Sequence, residues 1–116
     1  VAAHPSAPVY LTGHSLGAGQ SLIAAADLPA AFPRATFSVF AFAPYRQSDE
    51  AWNAAVSAQP NLARIWRINH RYDEVPAAYG RDAWSFESLG REVWYPNDDD
   101  DLYYVGDQSG EDPRLL

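Results

Sequence analysis

Cysteine, methionine and lysine are all absent from the 116 residues, and the eight basic residues are arginines throughout. Without cysteine no disulfide can brace this segment and no thiolate can hold a metal in it; the redox compartment stays open. Positive charge is scarce. Fifteen acidic residues outnumber the arginines, the net charge is −7 and the isoelectric point lies near 4.6. The arginines form no basic cluster, which argues against nucleic acid as a partner, since phosphate binding needs one. No apolar run approaches the ~18 residues of a transmembrane candidate. No internal repeat is visible, and no signal peptide either, although a missing N-terminus would remove one.

What is present is one stretch of distinctive order. Pro8 to Thr12 is apolar and β-rich, Gly13-His14-Ser15-Leu16-Gly17 follows, and an alanine-rich run that reads as helix comes next. Strand, Gly-x-Ser-x-Gly and helix in that order make a nucleophile elbow, a sharp turn that holds a serine Oγ clear of the backbone. The strained serine brings its neighbours two residues away, Gly13 and Gly17, so close that only glycine is expected to fit. The bland alternative is a glycine-rich turn before a helix. The strand–turn–helix context favours the elbow.

Along the chain, residues 1–7 read as a loop. The helix from Leu16 is expected to bury Leu22, Ile23 and Ala26 with Gly19 close by, and to end at Asp27-Leu28-Pro29. Ala35 to Ala43 reads as a central strand closed by Pro44. Ser48, followed by Asp49 and Glu50, reads as the cap of a second helix with Ala51, Trp52, Ala55 and Val56 as its apolar stripe. Leu62 to Asn69 carries Arg64 and Arg67 between apolar residues, a pattern suited to a strand nearer the sheet's edge. Strand, helix, strand, helix, strand implies a parallel sheet with crossover helices. Ala77 to Ser88 reads as a loop anchored by Trp84 and Phe86. Glu92 to Tyr95 and Leu102 to Val105 read as two short strands of a hairpin, and Gly106 onward as a polar, frayed end.

Three stretches together resemble the class 3 (fungal-type) lipases, a branch of the α/β-hydrolases. They are Thr12 to Gly17, then Arg67-Ile68-Asn69-His70-Arg71-Tyr72-Asp73-Glu74-Val75-Pro76 with its Asp-x-Val-Pro loop, and then Gly90-Arg91-Glu92-Val93-Trp94-Tyr95. The resemblance implies an α/β-hydrolase fold, a carboxylic-ester (triacylglycerol) substrate met at a lipid–water interface, and a secreted protein. It also implies a Ser-Asp-His triad in that chain order, with Ser15 as nucleophile and Asp73 as the acid that orients the histidine. Asp73 agrees with the bottom-up expectation that open α/β sheets place site residues just beyond strand ends; the competing readings are a turn-capping Asp73, or Glu74 in its place. Leu16, the residue after the serine, would supply one oxyanion N–H.

No histidine follows His70. His4, His14 and His70 each read as structural, so the base is expected beyond Leu116. The second oxyanion donor and a lid are expected upstream of Val1. Residues 1–116 are accordingly expected to be the central-to-C-terminal part of one lipase-like domain, incomplete at both ends. The rival readings are an inactive fragment or pseudoenzyme, and a feruloyl-type esterase of the same family. Two departures from the family's pattern stand out: Ser88 where a histidine is frequent, and Pro44-Tyr45-Arg46-Gln47 in a loop. Asp98 to Asp101 reads as a solvated acidic turn, because it lacks the glycine and bidentate glutamate of a calcium loop. Tyr45, Trp52, Trp66, Trp84, Trp94, Tyr103 and Tyr104 read mostly as packing, with an acyl or aryl pocket as the alternative.

Overall fold

The computed structural model describes residues 1, 3–79, 84–99 and 101–106. Of the expected frayed end only Gly106 is described, and its N–H donates to Glu92 O at 2.9 Å; the residues after it and one member of the acidic run, Asp100, lie outside the described ones. Strand β1 spans Pro8–His14, helix α1 Leu16–Ala31, β2 Thr36–Phe42, α2 Glu50–Ser57, β3 Leu62–His70, β4 Arg91–Tyr95 and β5 Tyr104–Val105. The strands form one sheet in the order β1-β2-β3-β4-β5. The first four are parallel, and β5 returns antiparallel on β4, which makes the expected hairpin.

The core follows from period. On β2, Phe37, Val39 and Ala41 alternate inward and are fully buried. On α1, Ala18, Leu22, Ala25 and Pro29 are buried at helical spacing. Val39, Ala41, Ile65 and Leu89 pack with Ala18, Leu22 and Ala25 of α1 and Val56 of α2, so both helices share one core. Ile23, expected on the buried face, is instead 46% exposed, because the stripe runs through residues 18, 22, 25 and 29.

Helix α1 also runs on past its expected stop, with Pro29 inside it. Proline has no N–H, so the Ala25 carbonyl four residues earlier loses its helical donor. Gln59 Nε2 supplies it, 2.8 Å from Ala25 O and 3.2 Å from Ala26 O. Asn61 Nδ2 then serves the carbonyls of Pro29, Phe32 and Ala35 at 2.9, 3.2 and 2.9 Å. Two amides from the α2–β3 connection therefore finish a helix that local sequence alone would have ended.

Two further expectations are corrected. Helix α2 is capped by Asp49, whose carboxylate accepts from the Trp52 N–H at 2.8 Å; Ser48 instead donates to Asn53 Oδ1. Strand β3 is the middle strand and not near an edge. Arg67 is 1% exposed there, with Nη1 3.8 Å from Glu92 Oε1 on β4 and Nε donating to Gly90 O. Asn69 Nδ2 donates to the same Glu92 oxygen at 2.5 Å. Burial of a guanidinium needs such a partner, and the partner stands 25 residues away in sequence. Of the expected loop over Ala77 to Ser88, residues 80–83 lie outside the described ones; Trp84 is 62% exposed and its ring meets those of Tyr79 and Phe86, with centroids 6.5 and 6.4 Å away.

Candidate active site

Three parallel strands end alike. The residue after the last paired position donates its N–H to the next strand and turns into the left-handed region. Ser15 N–H reaches Phe42 O at 2.9 Å with φ 54°, and Ala43 N–H reaches Ile68 O at 2.8 Å with φ 51°. Arg71 N–H reaches Tyr95 O at 2.6 Å, also with φ 51°. The left-handed region is uphill for residues with a Cβ, so each turn needs its surroundings to hold it. The shared geometry gathers the segments after β1, β2 and β3 at the carboxyl end of the sheet.

At the first turn, Ser15 has φ 54° and ψ −115° and stands at the N-cap of α1 without a side-chain capping bond. Its carbonyl instead accepts from Ala18 and Gly19 N–H at 3.1 and 3.2 Å. Leu16 is the first helical residue, where the N–H has no intrahelical acceptor. The strain is accommodated by Gly13. A Cβ there would lie 2.2 Å from Gly17 O and 2.3 Å from Gly17 C, against backbone that cannot yield. Gly17 differs from expectation: a Cβ on it would meet nothing within 4 Å. The close approach is one-sided, with Gly13 needing the space and Gly17 supplying the backbone that fills it. Further on, Gly19 faces the Tyr45 ring, 2.4 Å from where its Cβ would be. The Pro44-Tyr45-Arg46-Gln47 departure thus packs directly on the helix that follows the serine.

Beyond β3, Asp73 lies exposed in a turn, its N–H donating to His70 O at 3.3 Å. Asp73 Oδ1 accepts from the Val75 N–H at 3.0 Å, at the start of a 3-10 turn over Val75–Ala77. One carboxylate oxygen therefore does cap the turn before Pro76. A carboxylate has a second oxygen and lone pairs to spare. Glu74 is exposed and makes no capping bond. Asp73 lines an open depression of about 630 Å³ together with His14, Phe42, Ala43, Ile68, His70, Arg71 and Tyr72. Ser15 borders this group through His14 but does not line the depression itself.

Of the histidines, His14 and His70 reach the depression and His4 lies in the turn before β1. His70 Nε2 is engaged elsewhere, 3.1 Å from Asn97 O and 3.2 Å from Asp98 Oδ1. Asp98 also accepts from Arg71 Nη1 at 3.0 Å, while Asp99 and Asp101 build successive Asx turns on Asn97 and Asp99. The acidic stretch is thus an exposed turn tied to the end of β3. Among the described residues no three His, Asp or Glu side chains come together as a metal site would require. Among the same residues, no helix is long and apolar enough to cross a membrane.

Trp94 packs as expected, but residue reading alone missed its hydrogen bond. It is 4% exposed, stacks on Tyr104, and its indole Nε1 donates to the Arg71 carbonyl at 2.9 Å. Glu92 and Trp94 stand two residues apart in the Gly90 to Tyr95 stretch. Their two-residue spacing on β4, which puts both on the inner face, was the available signal.

A sequence model of the family described as Lipase (class 3) matches residues 1–82. Among solved structures, lipase II from Rhizopus niveus is 27% identical with a TM-score of 0.82, over 96% of this chain and 42% of that one. The lipase from Rhizopus microsporus var. chinensis is 25% identical with a TM-score of 0.82, over 95% and 38%. A triacylglycerol lipase from Penicillium expansum is 28% identical with a TM-score of 0.72, over 80% and 36%. The chain therefore spans less than half the length of each of these structures.

Proposed function

Because the chain belongs to the class 3 lipase family and shares its α/β-hydrolase fold, we propose that it is the part of a carboxylic-ester hydrolase that carries the nucleophile and the acid. In this reading residues 1–116 form the central-to-C-terminal part of one such domain, and its substrates are triacylglycerols. The name of the similar Penicillium expansum structure, a triacylglycerol lipase, supports that substrate class. Family membership likewise supports a secreted protein that meets its substrate at a lipid–water interface.

The observation that carries the reading is the backbone of Ser15: left-handed, at a helix N-terminus, backed by a glycine that admits no Cβ. In that position Oγ stands free of the turn and the first helical N–H, that of Leu16, is available for the charge that develops on the substrate. Ser15 Oγ attacks the ester carbonyl while a histidine from outside this segment takes its proton. Asp73 holds that histidine in the required tautomer. The tetrahedral intermediate collapses, the alcohol leaves with the proton, and water activated by the same histidine releases the carboxylate. No step calls for a metal or organic cofactor.

The test uses the full-length protein. An alkyl fluorophosphonate should label Ser15 and fail to label Ser15→Ala; equal labelling of the two proteins would remove Ser15 from the mechanism. Asp73→Asn should lower kcat by about 10⁴-fold, the order seen when a triad acid loses its charge. Faster turnover of emulsified long-chain triacylglycerol than of short soluble esters supports the lipase. The opposite preference points to an esterase of the feruloyl type, and no turnover of either points to a pseudoenzyme.

A further inference from the structure

We propose that Trp94 is a positioning residue for Asp73, acting through the backbone of Arg71; this rests on the assignment of Asp73 as the triad acid. Arg71 begins the segment that leads to Asp73, and its φ of 51° sets the direction in which that segment leaves β3. An arginine does not hold a left-handed conformation unaided. Strand β4 grips both polar atoms of this residue's backbone. The Arg71 N–H donates to Tyr95 O at 2.6 Å, and the Arg71 carbonyl accepts from Trp94 Nε1 at 2.9 Å.

Side-chain packing offers little else here. Tyr72 is 76% exposed, Asp73 and Glu74 are exposed, and burial returns only at Pro76. Among the described residues the Arg71 side chain also meets Asp98, an ion pair whose partners are 54% and 74% exposed and so screened by solvent. The indole, by contrast, is buried and stacks on Tyr104 with ring centroids 5.7 Å apart. Beneath it Asn69, the strand partner of Trp94, is tied to Glu92. Because Asp73 Oδ1 is occupied by the Val75 N–H, the direction of the second oxygen follows the direction of the turn. Fixing Arg71 therefore fixes where that oxygen can meet a histidine.

Two replacements at position 94 in the full-length protein separate the hydrogen bond from the packing. Trp94→Phe keeps an aromatic ring over Tyr104 and deletes the N–H. Benzothienylalanine at position 94 keeps the full bicyclic shape and puts sulfur where the N–H was. Both should lower kcat on a soluble short-chain ester roughly ten- to a hundredfold, the cost of an ångström-scale misplacement. KM should stay within about twofold, and fluorophosphonate labelling of Ser15 should slow in proportion to kcat. In an Asp73→Ala background neither replacement should change the residual rate, because residues acting as one unit are not additive. The same fold-loss in both backgrounds overturns the proposal, as does full activity of the benzothienylalanine protein where Asp73→Ala is crippled. Unchanged kcat in Asp73→Ala itself overturns the acid assignment and this proposal with it.

Discussion

Gln59 donates to the carbonyl of Ala25, the acceptor that Pro29 leaves without a helical partner. The bond spans 34 residues and joins the end of α2 to the last turns of the helix that follows Ser15. Removal of the amide should leave the carbonyl of a buried residue without its donor. Gln59→Ala is therefore expected to cost about 1–3 kcal/mol of stability. In a Pro29→Ala background the restored N–H can reach the Ala25 carbonyl, so the same change should cost less. Urea unfolding of the four proteins of this cycle measures the coupling; equal costs in both backgrounds would argue against the role given to Gln59.

The two elbow glycines should respond differently to alanine. At Gly13 a methyl group would lie 2.2 Å from the Gly17 oxygen, so the turn must open. Gly13→Ala is expected to destabilise the fold by about 1–3 kcal/mol or more and to abolish probe labelling of Ser15. At Gly17 the space is open, and alanine is the better helix former by about 1 kcal/mol. Gly17→Ala should leave stability unchanged or slightly higher. Similar losses in both variants, read by denaturant midpoint, would show that the close approach is not one-sided.

The buried pair beneath the Asp73 turn should behave as a unit. Arg67 and Glu92 side chains are 2% and 1% exposed. Glu92→Leu removes the carboxylate opposite a buried guanidinium and is expected to cost about 3–5 kcal/mol. Arg67→Met together with Glu92→Leu should recover part of that loss, since the guanidinium is no longer stranded, while Asn69 still loses its acceptor. A double variant as unstable as Glu92→Leu alone would count against the pairing.

Much of the chain could be read locally. Ala35 to Ala43 is a β-rich run closed by Pro44, and the elbow writes strand, turn and helix into a few consecutive positions. The place of Asp73 just beyond a strand end was legible from the strand pattern before it. The failures have a common cause. Pro29 reads as a stop because its missing N–H is visible in sequence, whereas the Gln59 amide that replaces it is not. Arg67 reads as an edge residue because its charge is visible and its partner, Glu92, lies on another strand. Ile23 was misplaced because the buried stripe depends on where the helix meets the sheet.

By itself the sequence determined the order of elements, the parallel sheet, the elbow at Ser15 and the family to which the chain belongs. These rest on periodicity, glycine placement and short motifs, all of which act between residues close in the chain. The tertiary structure decided which of two elbow glycines the turn requires, that β3 lies at the centre of the described sheet, and that Trp94 and Tyr95 grip the turn before Asp73. Those depend on backbone atoms meeting across strands, where distance in space is set by the register of the sheet and not by separation along the chain.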